Sequence, residues 1–127
     1  MSNYLLTGTK LNREQHMSEK LAIIDLDLGA KLVGNDKSMA KELLEMLIDT
    51  LPEHLNEITT AYEANNLDAL VKATHKLHGA TCYTGTPRLK ASAAALEQAA
   101  KQKQTEKLQE LFKQLVEEIN MVLNYPS

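Results

Sequence analysis

The strongest constraint on this chain is a spacing. Between residues 37 and about 64, the apolar side chains Ala40, Leu43, Leu44, Leu47, Leu51, Leu55, Ile58 and Tyr62 recur every three or four positions. That recurrence gathers them on one face of a helix. At ~1.5 Å of rise per residue the segment would run about 40 Å, enough for the spine of a bundle. Pro52 lies inside it. Proline removes a backbone donor and clashes with the preceding turn, so the spacing predicts a kink near Thr50 or Leu51, or a split into two helices.

The same spacing returns three times downstream. Residues 67–84 place Leu70, Val71, Thr74, Leu77 and Thr81 on one side, and residues 88–101 carry the alanine-rich seam Leu89, Ala93, Leu96 and Ala100. The last segment turns Leu108, Leu111, Phe112, Leu115, Ile119, Val122 and Leu123 inward. Between the segments stand short breaks with capping chemistry: Asn65-Asn66, with Asn66 as the cap; Gly85-Thr86-Pro87, read as stop, N-cap and first helical residue; and Gln102-Lys103-Gln104, with Thr105 as the next cap. A shorter helix over residues 25–33 precedes them, closed by Gly34 and followed by Asn35 or Asp36 as a new cap. Short connections make sequential helices antiparallel neighbours. The expected fold is all-α, an antiparallel four-helix bundle with a short extra N-terminal helix. Residues 1–17 read as an N-terminal tail or linker, and residues 18–127 as the bundle.

Composition narrows the class. Leu, Ala, Lys and Glu dominate, while five glycines and three prolines are too few for a many-turned β fold. The net charge of −3, without a basic stripe, argues against nucleic acid as a partner. The single cysteine, Cys82, excludes an internal disulfide and suits a reducing, cytoplasmic setting. No apolar run is long enough to insert in a membrane. A monomer is the expected state.

One stretch departs from what a helix prefers. Residues 74–85 read Thr-His-Lys-Leu-His-Gly-Ala-Thr-Cys-Tyr-Thr-Gly, so a glycine, Gly79, sits in a helical pattern beside two histidines. Glycine there costs roughly 1 kcal/mol relative to alanine. At 100° per residue, His75 lies roughly 110° from the centre of the apolar face, at the border of core and solvent. Gly79 lies one turn above it, with Lys72, His78 and Cys82 along the same ridge. Three readings of this stretch remain open. His75 and His78 can be ordinary border histidines beside a helix-packing glycine. They can bind metal with Cys82, a further ligand coming from elsewhere, such as His54. Or His75 can be a nucleophile for a phosphoryl group: a neutral imidazole has a nitrogen lone pair, Lys72 and Lys76 supply positive charge, His78 can donate a hydrogen bond, and Gly79 leaves room for an approaching donor.

Residues 75–85 resemble the signature of histidine-containing phosphotransfer (HPt) domains: His, a variable residue, a hydrophobic residue, a basic residue and Gly, then small residues and a later glycine. The continuations Thr86-Pro87-Arg88-Leu89-Lys90 and Leu96-Glu97, and the upstream run from Leu43 to Glu53, are similar to the family as well, and closest to the C-terminal HPt domains of BarA-type hybrid sensor kinases. The resemblance spans roughly residues 21–123. It implies that His75 is the phosphorylated residue, that His78 stands where the family usually has Lys, and that Gly79 is the clearance glycine. It further implies two partners, the receiver domain of a hybrid sensor kinase and that of a response regulator. The receiver brings Mg²⁺ and most of the catalysis, and this chain has no cofactor of its own. Docking would use Gly79, Lys72, Lys76, Cys82 and Tyr83 with exposed apolar residues such as Leu26 and Leu28. With no Gly-rich phosphate loop or kinase-like boxes, phosphorylation from ATP is not expected. The alternative is a helical-bundle metal-binding module or a protein-interaction module that is never phosphorylated.

Overall fold

A computed structural model describes residues 21–126, so the tail expected over residues 1–17 lies outside the described residues. Among the described residues there are five helices and no strand: α1 (Leu26–Leu32), α2 (Lys37–Glu63), α3 (Leu67–Ala80), α4 (Pro87–Lys101) and α5 (Thr105–Leu123). Helices α2 to α5 pack in a closed ring, each against its neighbours in chain order and α5 back against α2, while α1 lies on α2. This is the four-helix bundle that the spacing predicts.

The caps follow local chemistry. The carboxylates of Asp25 and Asp36 and the amide oxygen of Asn66 each accept the backbone N–H three residues on, at 3.0 Å, and so start α1, α2 and α3. Two expected caps do not form. Thr86 precedes α4, but its hydroxyl is shared with that of Thr84 at 2.8 Å in a buried turn. Thr105 is already helical, and Gln104 before it makes no side-chain cap bond.

Pro52 does not split α2, which runs unbroken for 27 residues. The proline faces solvent, where water can satisfy the carbonyl it leaves without a donor, while Leu51 and His54 on either side are buried. The core is a column of Leu47, Leu51, Ile58, Leu70, Leu77, Leu89, Leu96, Leu115 and Ile119, all nearly sealed from solvent. Tyr62 and Phe112 stack at 4.2 Å to tie α2 to α5.

Helix α3 ends at Ala80, not near residue 84, which takes Cys82 and Tyr83 off the helix and into a turn. The reason is tertiary. Gly85, in the left-handed region at φ +64, accepts a 2.7 Å hydrogen bond from the Asp25 amide, and a Cβ on it would collide with the Asp25 carbonyl. The turn is therefore pinned to the start of α1, and α3 has to stop early enough to reach that contact.

Candidate functional site

The late part of α3 faces α4 across a polar gap in the apolar seam. On α4 the seam runs Leu89, Ala93, Leu96 and Ala100, and Glu97 falls among them, buried with only 6% of its side chain exposed. Three donors converge on that carboxylate. His75 Nδ1 lies 2.7 Å from Oε2, Lys101 Nζ lies 3.2 Å from the same oxygen, and His78 Nδ1 lies 3.1 Å from Oε1. Burial alone would raise the pKa of Glu97. The hydrogen bonds from His75, Lys101 and His78, with the Lys101 charge, outweigh it and hold the carboxyl below the usual 4.5.

An ionised carboxylate only accepts, so both imidazoles must donate from Nδ1. In the neutral form of each ring this selects the tautomer that leaves the lone pair on Nε2. The two rings then differ in access. His75 has 71% of its side chain exposed and His78 only 31%. His75 stands further into solvent than the border position read from its helical phase. Among the described residues no protein group bonds its Nε2. It is an imidazole with one nitrogen tied to a buried anion and the other offered outward.

The remaining candidates take separate places. A Cβ on Gly79 would meet nothing within 4 Å, so the surface beside His75 is open. The Lys76 ammonium is paired with Glu57 of α2 at 3.1 Å, on the side away from α4. Lys72 is exposed one turn before His75 and lines a depression of about 370 Å³ with Leu67, Asp68, Val71, Lys101 and Lys103. His78 and Cys82 line a second depression, also about 370 Å³, against Leu28 and Leu32 of α1 and Ala91 of α4. The His75–Glu97 pair sits between the two along the α3–α4 groove. Tyr83, largely exposed, borders a third hollow of about 270 Å³ with Met46 and Leu43 of α2.

The metal reading finds no cluster. The Cys82 thiol donates to the His78 carbonyl at 3.5 Å, and among the described residues no three His, Cys, Asp or Glu side chains converge as ligands. His54 is buried on α2, where burial first and then the Lys76 charge push its pKa below 6.5.

Sequence reasoning misses Glu97 and Lys101 as site residues. The signal for Glu97 is a carboxylate falling on an otherwise Ala/Leu seam, four residues after Ala93 and three before Ala100. Lys101, four residues further, follows from it.

Comparison with known proteins bears on this geometry. The model of the Hpt domain family matches residues 42–125. The sensor histidine kinase GacS of Pseudomonas protegens is 36% identical over 83 residues, covering 65% of this chain and 9% of that protein. The signal transduction histidine-protein kinase BarA of Escherichia coli K12 is 35% identical over 77 residues, 61% of this chain and 8% of that protein. The phosphorelay intermediate protein rdeA of Dictyostelium discoideum is 28% identical over 98 residues, 77% of this chain and 39% of that protein. The crystal structure of the HPt domain of a sensor hybrid histidine kinase from Shewanella superposes with a TM-score of 0.65 at 30% identity, covering 79% of this chain and 90% of that one. The chain thus spans less than a tenth of the length of the bacterial kinases it matches. Among the described residues no helix is long and apolar enough to cross a membrane.

Proposed function

This chain belongs to the Hpt domain family, and from that premise we propose that it is a phosphorelay intermediate carrying the phosphoryl group on Nε2 of His75. The observation that carries the reading is the exposed His75 ring with its Nδ1–H tied at 2.7 Å to buried, ionised Glu97. The lone pair on Nε2 attacks phosphorus of an aspartyl phosphate on a receiver domain. The Nε2–P bond forms as the bond from phosphorus to the aspartyl oxygen breaks, and that electron pair leaves on the receiver's carboxylate. No proton has to depart, because Nε2 carries none. The product ring keeps its Nδ1–H and bears positive charge, which the Glu97 carboxylate offsets. Stabilisation is therefore stronger after attack than before it, the condition for an interaction to speed a step. Transfer to a second receiver is the reverse.

His78 is held by the other oxygen of Glu97 and places an imidazole where the family usually has lysine. Gly79 leaves the approach to His75 open. Phosphoryl transfer is largely positioning and charge neutralisation, so a bundle that displays one ring suffices when its partner brings the rest. In this reading Mg²⁺ is held by the receiver, where it offsets phosphoryl charge. The partners are receiver domains of a hybrid kinase and of a response regulator, in the cytoplasm. Incubation with a phosphorylated receiver should give an acid-labile phosphate that maps to His75 and is absent from His75→Gln. Labelling that persists in His75→Gln, with its helical fold intact, would refute the assignment.

A further inference from the structure

On the reading that His75 carries the phosphoryl group, we infer that Lys101 is the residue that binds that group once it has arrived. The Lys101 ammonium and the His75 ring share one acceptor atom, Glu97 Oε2, at 3.2 and 2.7 Å. The ammonium is thus placed beside the ring before any phosphoryl group is present. Its side chain is 52% exposed at the last residue of α4, so it is free to swing, whereas the carboxylate beneath it is buried and fixed. The other lysines near the ring are placed differently. Lys76 is engaged by Glu57 on α2, and Lys72 makes no ion pair among the described residues.

The electrostatics change sign at Lys101 when transfer occurs. Before it, the ammonium shares a single carboxylate with two imidazole donors. Afterwards the ring is positive, takes the larger share of Oε2 and repels the ammonium. The new phosphoryl group outside brings about −2 of charge and three acceptor oxygens. Lys101 therefore exchanges the carboxylate for a phosphoryl oxygen, and its contact exists only in the phosphorylated state. The charged and titratable groups facing this exchange are His75, His78 and Lys72 from α3, with Glu97, Lys101 and neighbouring Lys103 from α4 and its end. The consequence is regulatory: Lys101 sets how far the relay equilibrium rests on this domain.

The test uses the full chain phosphorylated by phosphoramidate, a small donor that needs no receiver, with the label mapped to His75. The pH titration of the phosphohistidine ³¹P signal reports the charge next to the phosphoryl oxygens. Lys101→Met should move its midpoint upward by about 0.3 to 0.7 unit, and Lys101→Arg should restore it. The same variant should lower the equilibrium constant for taking phosphate from a receiver about two- to fivefold, the range of an exposed ion pair. Lys113→Met, an exposed lysine on α5 away from the site, is the control and should change neither. Superimposable wild-type and Lys101→Met titrations with equal equilibrium constants would overturn the role of Lys101 alone. Failure to find phosphohistidine at His75 in the wild-type chain with either donor would overturn the underlying reading as well.

Discussion

Gly79 separates what the fold needs from what the site needs, and it can be tested against Gly85, six residues away. Gly79 has an ordinary helical backbone, is exposed, and leaves open space where a Cβ would stand. Replacing it by alanine removes the entropy penalty of glycine, worth up to ~1 kcal/mol in a helix interior and about half of that one residue from the end of α3. For a domain of this size, ~0.5 kcal/mol raises the Tm by about 1–3 °C. Gly85→Ala should do the opposite. Its φ of +64 and the collision with the Asp25 carbonyl together cost about 2 kcal/mol or more. Thermal melts followed by circular dichroism decide both. The functional arm is Gly79→Glu, which keeps the bundle folded yet puts bulk and negative charge in the path of the donor. Displacing the reacting atoms by about 1 Å is enough to slow transfer ~100-fold. A Gly79→Ala protein melting below wild type would refute the claim that the fold has no use for this glycine. Wild-type transfer by a folded Gly79→Glu protein would remove the claim that the partner does.

The other predictions follow from the shared carboxylate. Glu97→Gln should retain the helical bundle but slow phosphoryl acceptance about tenfold, because an amide supplies one acceptor oxygen for three donors and no charge for the phosphorylated ring; an unchanged rate would show that tautomer control by Glu97 is unimportant. Glu97 has a folded pKa below 4.5, so the stability it adds is full above that value and is lost as pH falls through its lower folded value. The gap in Tm between wild type and Glu97→Gln should therefore close only at acid pH, and a constant gap would contradict the linkage. His78→Ala should slow transfer without abolishing it, since His78 bonds Oε1 and the exposed ring bonds Oε2 of Glu97; a fully inert, folded variant would mean that the two histidines are ranked the wrong way round.

How much of this is legible in the sequence depends on how local each cause is. The caps at Asp36 and Asn66 involve an oxygen and an amide three residues apart, so the sequence displays them. The buried faces are legible for the same reason, since a run such as Leu47, Leu51, Ile58 carries its own phase. The end of α3 is not local. Residues 81–84 contain no strong helix breaker, and what stops the helix is Gly85 reaching Asp25 some 60 positions earlier. Pro52 runs the other way: the split that its local penalty allows does not occur, because the burial of Leu51 and His54 on the far side of the helix overrides it.

The site divides along the same line. His75 and Gly79 stand out because they violate helix preference inside one segment, and adjacency then draws Lys76 toward His75 on paper. In three dimensions the 100° between consecutive residues sends Lys76 to α2 and Glu57, while His75 turns to α4. The partner that sets its chemistry, Glu97, is 22 residues away and is found only once the phase of α4 is compared with that of α3. The proposed nucleophile can be read from one helix because exposure and clearance are properties of a single surface. Its activation cannot, because fixing a tautomer takes a buried anion, and burying that anion takes a second helix packed at the right register with enough donors to keep it charged. The three donors on Glu97 supply that condition, which is why the residue easiest to overlook in the sequence is the one on which the exposed imidazole depends.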